Sequence, residues 1–315
     1  MRRRTIYVIS CIVSILIACA GCRRADQRRK LIAIIVPSQD NPYFKAEADA
    51  AAARAEALGY RVRVDAHEDD AYRQDNLVDA AIASNATVLI LDNAGADASI
   101  AAVRRATKAG IAVLLIDREI DATGIAKAQI ISDNDQGARL VAAEFARVLG
   151  AKGDYAELLG RESDTNAQIR TKGFHAVLDR DPSLKLVAAQ SANWSQSEAF
   201  QKTETMLQAH GEIAGIIAGN DTMAVGAAAA VKSAGLTNIR IVGFDGSPDA
   251  IEAIRNGEMQ ATALQPAVYI ARLAVDEADR FLKTGATGEP EQQIVPCELV
   301  TKNNADDFRN FEKIR

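Results

Sequence analysis

Asp117 and Arg118 follow the apolar run "AVLLI" (112–116), an acid beside a guanidinium, and five other segments offer similar chemistry. "PSQDNPYF" (37–44) carries Asn41, Tyr43 and Phe44, and "GRESDTNAQIR" (160–170) ends on Arg170. "SANW" (191–194) ends on Trp194, the sole tryptophan, while "GNDT" (219–222) holds Asn220 and "FDGSPD" (244–249) holds Asp245. Carboxylates accept from adjacent hydroxyls, arginine donates as a planar fork, and asparagine does both. Aromatic faces cover the C–H surfaces of a sugar ring. This set suits a polyol; nothing in it is assigned to break a bond. The three histidines, His67, His175 and His210, lie beside no plausible Ser or Cys nucleophile, and G-x-S-x-G, P-loop and G-x-G-x-x-G motifs are absent. "HEDD" (67–70) reads as an acidic solvated loop rather than a metal site, and no cofactor is expected.

Those segments need a scaffold, and the hydrophobic pattern supplies one. Apolar strands fit 31–36, 61–65, 87–91, 112–116 and 128–132, with helices over 42–58, 71–84 and 97–109. After "SDND" (132–135) the alternation restarts, with strands at 154–159, 184–190, 213–218, 239–243 and 259–264 between helices at 135–149, 166–180, 195–209, 221–234 and 248–255. A long helix over 266–283 and extended pieces near 292–300 follow. Such βα alternation predicts α/β architecture with parallel sheets covered on both faces, and 315 residues suit two lobes. Open parallel sheets bind ligands beyond the carboxyl ends of their strands, where the polar segments fall. Asn41-Pro42 reads as a helix start, cap then first turn. Tyr43 and Phe44 point about 100° apart on that helix, so one core stripe does not hold both comfortably.

The N-terminus reads differently. "MRRR" and the apolar "IYVISCIVSILIACA" (6–20) form a signal segment, ending in "IACAGC" (17–22). It resembles a bacterial lipobox, although Cys19 replaces the usual aliphatic residue. That resemblance implies cleavage after residue 21, lipid on Cys22, and a charged tether over 22–30. Cys11 and Cys19 lie in the signal, so only Cys297 remains and no disulfide forms within the mature chain. Net charge −5 argues against nucleic acid.

From about 31 to 301 the chain resembles the periplasmic sugar-binding proteins of the ribose-binding type. "DNPYF" (40–44), "IDR" (116–118), "ISDN" (131–134), "GND" (219–221), "VGFDGSPDA" (242–250) and "TALQP" (262–266) carry the likeness, in order. It implies the type 1 periplasmic-binding fold: two Rossmann-like lobes hinged by three crossings, near Ser132-Asp133, Gln265-Pro266 and Ile294. The first lobe is then 31–132 and 266–293, the second 133–265 and 294–315. It also assigns ligand contacts. Asn41 bonds a hydroxyl, Tyr43 and Phe44 cover one sugar face, and Trp194 covers the other. Asp117 with Arg118, and Arg170 with Asn220, Asp245 and the hinge glutamine Gln265, supply the remaining polar contacts. Tyr43 and Trp194 stand where the ribose binder usually has Phe, which bears on which sugar is bound.

The implied function is non-enzymatic: a lipid-anchored monomer on the outer face of the cell membrane or in the periplasm, delivering a monosaccharide to an ABC transporter permease. Ribose is the first choice of ligand, with another sugar or polyol as the alternative. A chemoreceptor is a further conceivable partner. A LacI-type regulator shares the body but needs a DNA-binding domain where these thirty residues read as an export signal. Expressed in a bacterium with a fatty-acid analogue, the chain is expected to take up label, and Cys22→Ala to abolish it. Label surviving that substitution removes the lipoprotein reading.

Overall fold

The computed structural model describes residues 29–314; the signal segment, Cys22 and the tether as far as residue 28 lie outside the described residues. Chain order begins β1 (Leu31–Val36), α1 (Pro42–Ala57), β2 (Arg61–Ala66), α2 (Ala71–Ala83), β3 (Val88–Leu91), α3 (Ile100–Lys108), β4 (Ala112–Ile116) and β5 (Ala128–Ser132). It continues α4 (Asn134–Leu149), β6 (Gly153–Leu159), α5 (Thr165–Leu178), β7 (Leu184–Ser191), α6 (Gln196–Ala209), β8 (Ile213–Ala218), α7 (Asp221–Ser233) and β9 (Arg240–Asp245). Last come α8 (Pro248–Asn256), β10 (Ala261–Leu264), α9 (Ala267–Thr284), β11 (Gln292–Val295), β12 (Glu298–Thr301), β13 (Phe308–Arg309) and β14 (Glu312–Lys313).

Two six-stranded sheets result, ordered β11-β5-β4-β3-β1-β2 and β12-β10-β9-β8-β6-β7. Every pairing in them is parallel except β10 with β12. "LIAIIV" in β1 is buried along its whole length because helices cover both faces of its sheet. Alternate residues feed two cores: Ile32 and Ile34 meet α1 and α9, while Ala33 and Ile35 meet α2 and α3. The second sheet repeats the plan, with α4 and α5 on one face and α6, α7 and α8 on the other. The helix expected over 97–109 starts only at Ile100. Ser99 could have capped it, but its hydroxyl is engaged by Gln74 Nε2 at 2.9 Å.

Two boundaries differ from the sequence-based division. Ile294 and Val295 pair with Ile131 and Ser132 of β5, so the first sheet keeps the chain through Val295. The passage to the second sheet therefore runs through Pro296-Cys297, just beyond the expected Ile294. The last residues do not stay with the second lobe either. Phe308 packs in its core, yet Phe311 is fully buried in the core of the first, and Arg272 of α9 pairs with Glu312 at 2.6 Å. The short β13–β14 hairpin thus adds a fourth tie between the lobes, placed by one aromatic on each side.

His175, on α5, sits between two carboxylates: Nε2 lies 3.0 Å from Glu157 Oε2 and Nδ1 3.1 Å from Asp179 Oδ1. The bond to Glu157, aided by Asp179 against the opposing effect of burial, raises its pKa from 6.5 to about 9. A raised folded-state value means the contribution is complete below 6.5 and lost as pH climbs through about 9. Denaturant titrations below pH 6.5 and above pH 9 are expected to show lower stability at the alkaline end, and a smaller difference in His175→Gln. An equal difference in both proteins rules out this histidine as the source.

Candidate functional site

Loops at the carboxyl ends of the two sheets meet between the lobes around a small cavity. All ten residues singled out from sequence line it, together with Asp164 and Asn166. A broader groove leads from there to the surface and shares Asn41, Phe44 and Trp194 with the cavity.

From the first lobe, Asn41 caps α1 by accepting from Tyr43 N at 3.0 Å, with Pro42 in the first turn. That bond uses only the amide oxygen. The two aromatics that follow do different jobs, contrary to the expectation that both cover one sugar face. Their ring planes stand at 87°, so one ligand ring cannot lie flat on both. Tyr43 packs edge-on to Phe311 and donates its hydroxyl to Asp117 Oδ1 at 3.1 Å, in the core and cavity wall at once. Burial, with Asp117 nearby, holds that phenol well above its ordinary pKa, so it stays a donor. Phe44 lines both cavity and groove, with the Arg118 guanidinium 5.1 Å from its ring.

Arg118 is 4% exposed and surrounded by acids. Nη1 donates to Asp69 Oδ1 at 2.9 Å and to Asn93 O at 3.0 Å; Nε lies 3.0 Å from Asp164 Oδ2 and 3.6 Å from Asp92 Oδ1. Burial opposes its charge, but Asp164, Asp92, Asp69 and Asp117 outweigh that and keep it protonated. Asp69 belongs to "HEDD", which is therefore not the solvated bystander expected from its composition. His67 is fully buried: Nδ1 accepts from Asp69 N at 3.0 Å, leaving Nε2–H to donate to Asp92 O at 2.8 Å. Burial lowers its pKa to about 4, so the ring is a neutral brace behind the arginine's partner. Among the described residues no group of three or more His, Cys, Asp and Glu is arranged to hold a metal ion.

The second lobe supplies the facing wall. Arg170 donates from Nε to Asn134 Oδ1 at 2.7 Å and from Nη1 to Gly219 O at 2.9 Å, and its guanidinium stacks 4.0 Å from the Phe244 ring. Nη1 also reaches Asp245 Oδ1 at 3.3 Å, where Gln265 Nε2 donates at 2.8 Å. Gln265 Oε1 is buried and unpaired within the protein. Asn220 caps α7 by accepting from Met223 N at 2.9 Å. Burial raises the pKa of both Asp117 and Asp245; Arg118 and Arg170 oppose this at Asp117, and Arg170 does at Asp245. Such carboxyls are well served by hydroxyl donors.

Three wall residues have left-handed backbones: Asp117 at φ 58°, Trp194 at 64° and Asp245 at 123°. Asp tolerates this better than most residues, but a bulky indole does not, and such strain concentrates at functional sites. Asp164 and Asn166, unassigned from sequence, stand at the cap and first turn of α5, in a segment whose polarity was plain. The Asx cap that Asp164 makes to Asn166 N, at 2.9 Å, is an ordinary helix start and hides any other use. Asn166 Nδ2 reaches across the lobes to Asp117 O at 3.2 Å.

Comparison with known proteins agrees with the two-lobed α/β fold. The family described as periplasmic binding protein domain matches residues 32–287. The D-apiose import binding protein of Paraburkholderia graminis is 58% identical over 285 residues, covering 90% of this chain and 91% of that one. The ribose import binding protein of Haemophilus influenzae is 33% identical over 269 residues, covering 85% and 89%. Among solved structures, an ABC transporter periplasmic solute binding protein from Actinobacillus succinogenes with bound D-allose superposes with TM-score 0.83 at 31% identity, covering 89% of this chain and 100% of that one. The chain belongs to the periplasmic binding protein family, within the sugar-binding substrate-binding proteins of ABC transporters, which are not enzymes.

Proposed function

We propose that this protein captures D-apiose between its lobes and delivers it to the membrane permease of an ABC importer, held at the membrane by lipid on Cys22. One observation carries the choice of sugar: 58% identity across nine-tenths of the chain to a protein named for D-apiose import, against 33% to one named for ribose. Ribose, the first choice from sequence, therefore gives way. The site's chemistry supports the reading. D-apiose is a branched pentose whose hydroxyls allow only five-membered rings, giving a compact ligand with a projecting hydroxymethyl group. A small cavity edged by Phe44 and Trp194, with Asp117, Arg170 and Asp245 turned toward one centre, suits that shape. The groove provides the way in.

Closing follows from the division of contacts. A ligand that touches both lobes favours the closed state by the contacts it makes only there. Calorimetry is expected to show D-apiose binding at least tenfold tighter than ribose, D-allose or myo-inositol. Asp117→Asn, Arg170→Lys and Asp245→Asn each remove a charge-assisted bond or the fork geometry, and each should weaken binding by about 1.5–3 kcal/mol, roughly tenfold or more. Tighter binding of ribose overturns the choice of sugar. Unchanged affinity in all three variants overturns the site.

A further inference from the structure

Asp164 caps a helix, but its second carboxylate oxygen does something no cap requires. Oδ1 accepts from Asn166 N at 2.9 Å, which is the cap. Oδ2 accepts from Trp194 Nε1 at 3.1 Å, within the second lobe, and lies 3.0 Å from Arg118 Nε of the first lobe. One buried oxygen thus joins a wall of the sugar cavity to the opposite lobe.

Trp194 is fixed by more than this bond. A Cβ on Gly160 would lie 2.0 Å from its ring and one on Gly219 3.1 Å, so the indole rests against bare backbone at the ends of β6 and β8. Arg170 covers it at 5.6 Å. Its only donor is engaged by Asp164, so toward the ligand the indole offers bulk and a flat face. Arg118, for its part, is held by Asp69 and Asn93 O whether or not the lobes meet. When they meet, Asp164 receives it.

We propose that Asp164 is a positioning residue that couples lobe closure to the placement of Trp194, and that through this coupling the pair sets which sugars fit. The inference rests on the sugar-binding reading above. It predicts that the Trp194 wall and the Arg118–Asp164 contact act as one unit: loosening either relaxes the limit on ligand size and weakens the closed state.

The test is a double-mutant cycle read by calorimetry with D-apiose and the larger D-allose, on the wild type, Asp164→Asn, Trp194→Phe and the double variant. Asparagine caps a helix as well as aspartate, so Asp164→Asn keeps the helix start and removes the charge facing Arg118. Asp164→Asn is expected to weaken D-apiose binding at least tenfold. Trp194→Phe, lacking the donor and part of the bulk, should shift the affinity ratio about tenfold toward D-allose. The double variant should lose less than the product of the single losses. A cap alone predicts unchanged affinity and selectivity in Asp164→Asn, and that result overturns the proposal, as do strictly multiplicative losses. A wild type that binds neither sugar removes the sugar reading and this inference with it, a failure distinct from wild-type binding that the variants leave untouched.

Discussion

A guanidinium taken out of water needs charge and hydrogen bonds around it, and much of this site follows from giving Arg118 both. The cost of burying an unpaired charge is several kcal/mol, far more than the marginal stability of a domain can absorb at many places. Four carboxylates from four separate loops meet the need: Asp69, Asp92, Asp117 and Asp164. Each loop is thereby positioned. Asp69 is braced by neutral His67, Asp117 by the Tyr43 hydroxyl, and Asp164 by its own cap and the indole N–H. The arginine is therefore a keystone for its neighbours.

The acid surplus behind it has a consequence. Glu47, one turn beyond Tyr43 on α1, is fully buried with neither carboxyl oxygen hydrogen-bonded, and neither oxygen of Asp92 finds a partner by hydrogen-bond geometry. Burial raises the pKa of both, against the pull of Arg118 and with Asp117 adding at each, which favours their neutral forms. Arg118 and Arg170 set two guanidinia against the remaining carboxyls, Asp69, Asp117, Asp164 and Asp245, so the acids outnumber the bases. Groups that donate and groups that accept both line the cavity, a setting for a polyhydroxyl ligand.

Local pattern was enough to read the βα alternation and a division into two sheets, because strand and helix periods are written residue by residue. That the loops of the two lobes face each other came with the family resemblance. Roles set by distant packing were not readable in that way. Tyr43 looks like a stacking ring until Phe311, from the far end of the chain, is found against its edge. His67 sits in an acidic run and is buried only because "HEDD" folds back over Asp92. Asp164 carries a cap signature that is satisfied locally, so its second use is invisible without the opposite lobe. The tail beyond Val295 alternates between lobes because single aromatics, Phe308 and Phe311, choose different cores. No periodicity announces such a choice.

The contacts that cross between lobes also set how the ligand acts. Arg161 pairs with Asp69 at 3.4 Å, but its side chain is 37% exposed, and such surface pairs are worth little. The Arg118–Asp164 contact is buried, and the attraction gained there is largely offset by stripping water from both groups. Asn166 adds one neutral bond to Asp117 O. Direct protein contacts across the gap therefore sum to a closed state that is shaped without being strongly favoured. A sugar that satisfies Gln265 Oε1 and the buried carboxyls of Asp117 and Asp245 supplies bonds that exist only when both walls are in place. On the reading proposed above, closure is governed by the ligand, and the strained, glycine-backed wall around Trp194 limits which ligands can complete it.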